Sequence, residues 1–125
     1  MPPVELVPDE IALLRFGAVT RNTHRIHYDT AFARSEGLDG PVVMAQLHGC
    51  LFYRAAAGFA DGEVDVLSVG WQNRAPAYAG DRLVVSGVVE SVDEATGEVT
   101  LALEEHHGAA PGELCCRGRA VIVPR

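Results

Sequence analysis

The feature that most constrains this chain is a change of hydrophobic period near residue 64. Before it, residues 42–60 (VVMAQLHGCLFYRAAAGFA) place Met44, Leu47, Leu51, Ala55 and Phe59 at helical spacing, with small residues filling much of the rest. A helix apolar on most sides has to be enclosed by other elements. Gly49 weakens it by about 1 kcal/mol relative to alanine, so it is expected where another backbone comes close. After the change, VDVLSVGWQN, DRLVVSGVVESV, GEVTLALEE and ELCCRGRAVIV are separated by turn-rich PAYAGD, DEATGE and HHGAAPGE. Val99, Leu101 and Leu103 alternate with Glu98, Thr100 and Glu104, the period of a half-buried strand. Turns this frequent favour consecutive antiparallel neighbours. One long apolar helix followed by a run of strands is an α+β arrangement, and its economical form is a curved antiparallel β-sheet wrapped round the helix.

The first third of the chain is less regular. A proline-flanked lead-in precedes a stretch where Asp9 either caps a short helix over 10–15 or 13–19 runs extended; the periodicity does not decide. RNTHRIHYD is too polar for core and is expected to be a loop or distorted turn. Asp29 is placed to N-cap a short helix beginning TAFARSE, which Gly37 would stop. No repeat, low-complexity segment or linker interrupts the 125 residues, so one domain over 1–125 with one core is expected.

A formal charge of −7, from 17 Asp and Glu against 10 Lys and Arg, leaves no basic stripe for a phosphate backbone, so nucleic acid is not an expected partner. No apolar run approaches the roughly 20 residues that cross a bilayer. The start, MPPVELVPDE, lacks a basic-then-apolar leader pattern, so a cytoplasmic location is expected, with no membrane partner. Cys50, Cys115 and Cys116 have no C-x-x-C spacing and are expected to be reduced thiols in core or strand.

The polar loop carries a resemblance. N-T-H-R-I-H-Y-D at 22–29 is followed by Ala33 and Gly37, then by GPVVMA reaching the helix start at Met44 and Ala45, and later by RAPAYAGDRL with Pro76, Gly80 and Asp81. This combination resembles the MaoC-like hydratase/dehydratase family of hot-dog proteins, whose pattern is D-x-N-P-x-H-x-D, an alanine, a glycine and an H-G pair opening the central helix. From about Arg15 onward the chain is most similar to the branch containing mesaconyl-CoA-type hydratases and fatty-acid-synthase-like dehydratases. There F-R-Y-S-A-L-T-x-N-x-H-R-I-H-Y-D stands against LRFGAVTRNTHRIHYD here.

The resemblance implies a hot-dog fold and syn hydration of an α,β-unsaturated acyl thioester, or the reverse dehydration of a 3-hydroxyacyl thioester. The carrier would be coenzyme A or acyl carrier protein. His27 matches the catalytic histidine, and an unperturbed imidazole switches protonation near neutral pH. Asn22 stands where hydratases have a catalytic aspartate; it can orient water by hydrogen bonding but cannot carry its proton. At the helix N-terminus, free N–H groups and the dipole suit developing oxyanion charge. Ala45 keeps the donor that the family takes from glycine, and Met44 replaces the usual histidine at the mouth of the site. His48, one turn on, is expected to present an imidazole to the same side. Arg25 is weighed as a donor to a carboxylate or CoA phosphates against a loop salt bridge. Tyr53 is assigned to core or tunnel lining against the substrate. The resemblance also implies a homodimer or a heteromer with another hot-dog subunit, and no cofactor.

Other polar residues have plainer readings. His24 is expected to brace the loop, Asp29 to cap, and Arg74 to lie exposed on a strand, with a lesser prospect of meeting CoA phosphates. His106 and His107 follow two glutamates. Neighbouring strand side chains face opposite ways, however, so a solvated hairpin end is expected there rather than a metal site. Two alternatives to the hydratase reading stay in view. One is a non-catalytic acyl-binding subunit, which Asn22 and Met44 favour. The other is a hot-dog thioesterase, which the lack of any Asp or Glu in 44–58 disfavours.

Overall fold

In the computed structural model, which describes residues 2–107 and 112–125, the chain forms a curled sheet carrying a helical layer on its concave side. A three-residue strand β1 (Val4–Leu6) leads into helix α1 (Glu10–Thr20), a 3-10 turn (Arg25–His27) and helix α2 (Thr30–Ser35). The central helix α3 (Ala45–Ala57) follows, then strands β2 (Val64–Asn73), β3 (Leu83–Asp93), β4 (Glu98–His107) and β5 (Glu113–Pro124). The strand order is β1-β3-β4-β5-β2, antiparallel throughout. This is the curved sheet round a helix that the period change implies, and it is the hot-dog fold that the resemblance implies. No helix among the described residues is long and apolar enough to cross a membrane.

Local chemistry accounts for the elements. The undecided N-terminal stretch is helical because Asp9 Oδ1 accepts from the Ala12 N–H at 2.7 Å, satisfying an orphan donor of the first turn. Asp29 caps α2 the same way, accepting from the Phe32 N–H at 3.0 Å. Past the end of α2, Gly37 takes φ +84° and the Leu38 N–H donates to the Ala33 carbonyl, a Schellman-type stop. β1 lies outside the expected elements. Its three residues are too few to show alternation, and their pairing with Leu83–Val85 of β3 holds them extended.

The core lies between α3 and the sheet. Leu47, Leu51, Phe52, Ala55 and Ala56 meet Leu83, Val85, Leu101, Leu103, Ala120 and Ile122. β4 alternates strictly, with Val99, Leu101, Leu103 and then Glu105 facing inward. α3 is less enclosed than its composition suggests. Cys50, Tyr53 and Arg54 face outward, Tyr53 being 55% exposed, because the sheet of one chain curls only part of the way round. Tyr53 is therefore not a core residue of this chain. Gly49 does lie at a close approach, but to a side chain rather than a backbone: a β-carbon there would overlap the Trp71 ring.

Candidate active site

The segment just before α3 is held on both sides, and this builds the site. On one side, the Val42 N–H donates to the Ile26 carbonyl at 3.0 Å, and His27 Nδ1 donates to the Val42 carbonyl at 2.7 Å. On the other, the Val43 N–H donates to the Ala77 carbonyl at 2.8 Å and the Ala79 N–H to the Pro41 carbonyl at 2.9 Å. Asp81 fixes that second support by accepting from the Tyr78 N–H at 2.8 Å, while the Gly80 N–H reaches the Pro8 carbonyl at 2.7 Å. The P-x-x-x-G-D segment thus fastens the strand layer to the start of α3.

His27 is 7% exposed. A carbonyl oxygen only accepts, so the ring atom facing Val42 is N–H and the free lone pair of the neutral ring is on Nε2. A cleft of about 230 Å³ beside it is lined by Leu13, Gly17, Asn22, Thr23, His27 and Tyr28, among others. Asn22 belongs to the same cleft and bridges to the first turn of α3, its Nδ2 donating to Gln46 Oε1 at 3.4 Å. The loop and the helix N-terminus are therefore neighbours. Met44 is the N-cap of α3 and makes no side-chain capping bond, so the first-turn N–H groups have no cap from that side chain.

Met44 departs from its expected place at the mouth. It is 1% exposed, and its Cε lies where a β-carbon on Gly17 would come within 3.7 Å. An apolar thioether gains by packing under α1, whereas a histidine would have to remain near polar groups. Gln46 is the side chain that the helix start presents outward.

His48 also departs from expectation. It belongs to the buried stripe of α3, 3% exposed, and its Nδ1 contacts Glu105 Oε2 on β4. Cys116, opposite Glu105 on β5, completes a buried group of three. A bulge in the β4–β5 pairing lets Cys115 and Cys116 both face inward although adjacent. Glu105 thus supplies a carboxylate beside the central helix that 44–58 lacks, but it is fully buried against His48 and does not line the His27 cleft. Continuing the alternation of Val99, Leu101 and Leu103 by one more step finds it in the sequence.

The remaining residues fall into place around the loop. Arg25 is paired with Asp29, Nη2 to Oδ2 at 2.7 Å, and its guanidinium lies 4.5 Å from the Phe32 ring centre. The Phe32 N–H first, and then Arg25, hold the Asp29 carboxyl below its usual range. His24 braces the turn, its Nδ1 accepting from the Ile26 N–H at 3.2 Å. Arg74 is exposed just beyond the end of β2 rather than on it, its backbone N–H bonded to the Cys115 carbonyl at 2.7 Å. His107 pairs with Glu113 at 3.2 Å and His106 with Glu104 at 3.7 Å. Residues 108–111, within the HHGAAPGE turn read from the sequence, lie outside the described residues.

A curled sheet over one helix, with a histidine loop fastened to the helix N-terminus, defines a hot-dog protein. Residues 3–79, more than half of the chain, match the family described as hydroxyacyl-thioester dehydratase type 2, and the chain belongs to that family. It is 43% identical over 63 residues to mesaconyl-C(4)-CoA hydratase of Chloroflexus aurantiacus. That match covers 45% of this chain and 22% of the relative, so the chain spans about a fifth of that protein's length. Among solved structures, the (R)-hydratase from A. caviae superposes with a TM-score of 0.90 at 21% identity, over 99% of this chain and 93% of that one. The ChsH1–ChsH2 complex from Mycobacterium tuberculosis superposes with a TM-score of 0.87 at 22% identity, over 100% and 94%. At such identities these two likenesses speak for the fold.

Proposed function

We propose that this chain catalyses the reversible addition of water to an α,β-unsaturated acyl thioester carried on coenzyme A or acyl carrier protein. The observation that carries the reading is the His27–Val42 hydrogen bond, which fixes the imidazole so that Nε2 is the free base beside a cleft containing Asn22. In hydration, Nε2 takes a proton from water as its oxygen bonds to Cβ. The electron pair of the alkene moves toward the thioester carbonyl, and the imidazolium returns the proton at Cα. Asn22 orients the water. The Ala45 N–H and the positive end of α3 stabilise the enolate-like oxygen, with Met44 as the cap that leaves those donors free. Dehydration is the same path reversed. Arg25, His48 and Tyr53 have lesser parts than their sequence positions suggest: Arg25 shapes the loop through Asp29, His48 is buried, and Tyr53 faces outward.

The reading includes a second hot-dog subunit, alike or different. β2 is a ten-residue strand with one edge unpaired among the described residues. Leu67 and Trp71 on it are 54% and 40% exposed, and α3 has an uncovered side. Exposed edges of this kind invite pairing. A partner would close the outer wall of the acyl channel. A cytoplasmic location fits the three free thiols.

A second reading, an acyl-binding half that relies on a partner for catalysis, is favoured by Asn22 in place of an acid and by the burial of Met44. The test is to purify the protein without a tag-imposed partner. Crotonyl-, mesaconyl- and longer enoyl-CoA are then assayed by loss of enoyl absorbance, alone and with any co-purifying hot-dog protein. Turnover by the chain alone supports the catalytic reading. Inert protein with every substrate, alone and with partner, overturns it.

A further inference from the structure

We infer that His48, Glu105 and Cys116 form a binding site for a divalent transition-metal ion, zinc foremost, tying the central helix to strands β4 and β5. Their donor atoms lie within 4.8 Å of one another, and the residues are 3%, 0% and 0% exposed. Nitrogen, carboxylate oxygen and sulfur together suit a borderline-soft ion. Tetrahedral zinc, with bonds of about 2.0–2.3 Å, needs only small side-chain adjustments from this spacing.

The energetics of the group point the same way. Glu105 Oε1 has no hydrogen-bond partner among the described residues, and Glu105 Oε2 and His48 Nδ1 have only each other. A buried carboxylate so poorly supplied with donors is costly, and a cation at its oxygens removes the deficit. Cys116 is fully buried opposite Glu105 and brings a thiol with its proton to the group. Metal binding would release that proton to solvent and form the metal–thiolate bond. In the metal-free protein the Cys116 Sγ–H donates to Asn73 Oδ1 at 2.8 Å; metal binding breaks that bond, and the Asn73 amide would have to turn its NH2 toward the thiolate. A second cleft, of about 240 Å³, reaches His48 past Val42, Val43, Asn73, Arg74, Ala75 and Pro76. It gives the ion a way in at His48, and a water entering by it would be the fourth ligand. The His27 cleft shares none of these residues.

The test uses the full chain with its tag removed. Metal content is measured by mass spectrometry, and the zinc is then exchanged for Co²⁺. About one ion per chain is expected, with a thiolate-to-cobalt charge-transfer band and tetrahedral d–d bands. Cys116→Ser should lose the charge-transfer band, whereas Cys50→Ser and the combined His106→Ala, His107→Ala protein should keep it. Should Cys116→Ser not fold, the wild-type spectrum and the rise of its thermal midpoint with added zinc decide the matter. Wild-type protein that neither carries nor takes up metal overturns the site. So does a cobalt spectrum without a thiolate band, which would place the ion at the surface histidines.

Discussion

His27 Nδ1 donates to the Val42 carbonyl at 2.7 Å, two residues before the N-cap of the central helix. One hydrogen bond therefore sets the tautomer of the imidazole and ties the loop to the start of the central helix. Outer contacts that orient a catalytic ring in this way are as much a part of its chemistry as the ring.

Asn22 tests the division of labour in that site. Asn22→Asp would place a carboxylate beside His27, and the catalytic reading expects activity to persist or rise. A nearby negative charge favours the imidazolium, so His27 would lose its proton at higher pH and the hydration optimum should move upward. The check is a pH–rate profile of both proteins. An inert Asn22→Asp protein that is rescued only by a second hot-dog subunit would favour the acyl-binding reading instead.

Gly49 and Trp71 should be energetically coupled. Gly49→Ala gains about 1 kcal/mol of helix propensity, but its methyl meets the Trp71 ring. Overpacking of this kind costs about 1–3 kcal/mol. Urea unfolding should show Gly49→Ala destabilised in the wild-type background and neutral or stabilised with Trp71→Ala. Equal effects in both backgrounds would deny the contact.

The Asp29 cap gives a pH dependence with a definite sign. The Phe32 N–H and Arg25 lower its folded-state pKa below the usual 3.8. Its charged form therefore adds stability above that ordinary value, and the contribution disappears as pH falls through the lowered one. In an Asp29→Asn protein the side-chain amide still caps α2 but no longer forms an ion pair with Arg25. The stability gap between the two proteins, measured by denaturant titration, should be present at neutral pH and close in acid. A gap that widens in acid would contradict the assignment.

How far the sequence carried these conclusions depends on the kind of residue. The period change at 64, the β4 alternation and the Asp29 cap are local patterns, and each produces the element expected of it. β1 was not legible, because three residues show no period and their partners, Leu83–Val85, lie far along the chain. The loop motif placed His27 and Asn22 together, because the motif itself is local. Met44 and His48 were misplaced for the opposite reason. Whether a side chain at a helix mouth turns outward or in depends on the Gly17 face of α1 and on Glu105 of β4, which only the fold brings near. Gly49 showed that something comes close without showing that it is an indole ring.

Association should be measurable directly. With β2 unpaired along one edge among the described residues and Leu67 and Trp71 exposed, light scattering at micromolar concentration should give at least a dimer, alone or with a hot-dog partner. Leu67→Arg should shift it toward monomer with loss of activity. A wild-type monomer that is fully active would remove the partner from the account.

The most direct measurement is the hydration rate of His27→Asn. The Asn side-chain amide sits where His Nδ1 does and can still donate to the Val42 carbonyl, so fold and thermal midpoint should survive. Nε2 is gone, and with it the acid–base group, a contribution of about 10²–10⁴-fold. The account predicts a folded oligomer whose kcat falls by at least about 10²-fold on whichever enoyl thioester the wild type hydrates. A folded His27→Asn protein that turns over at the wild-type rate would contradict it.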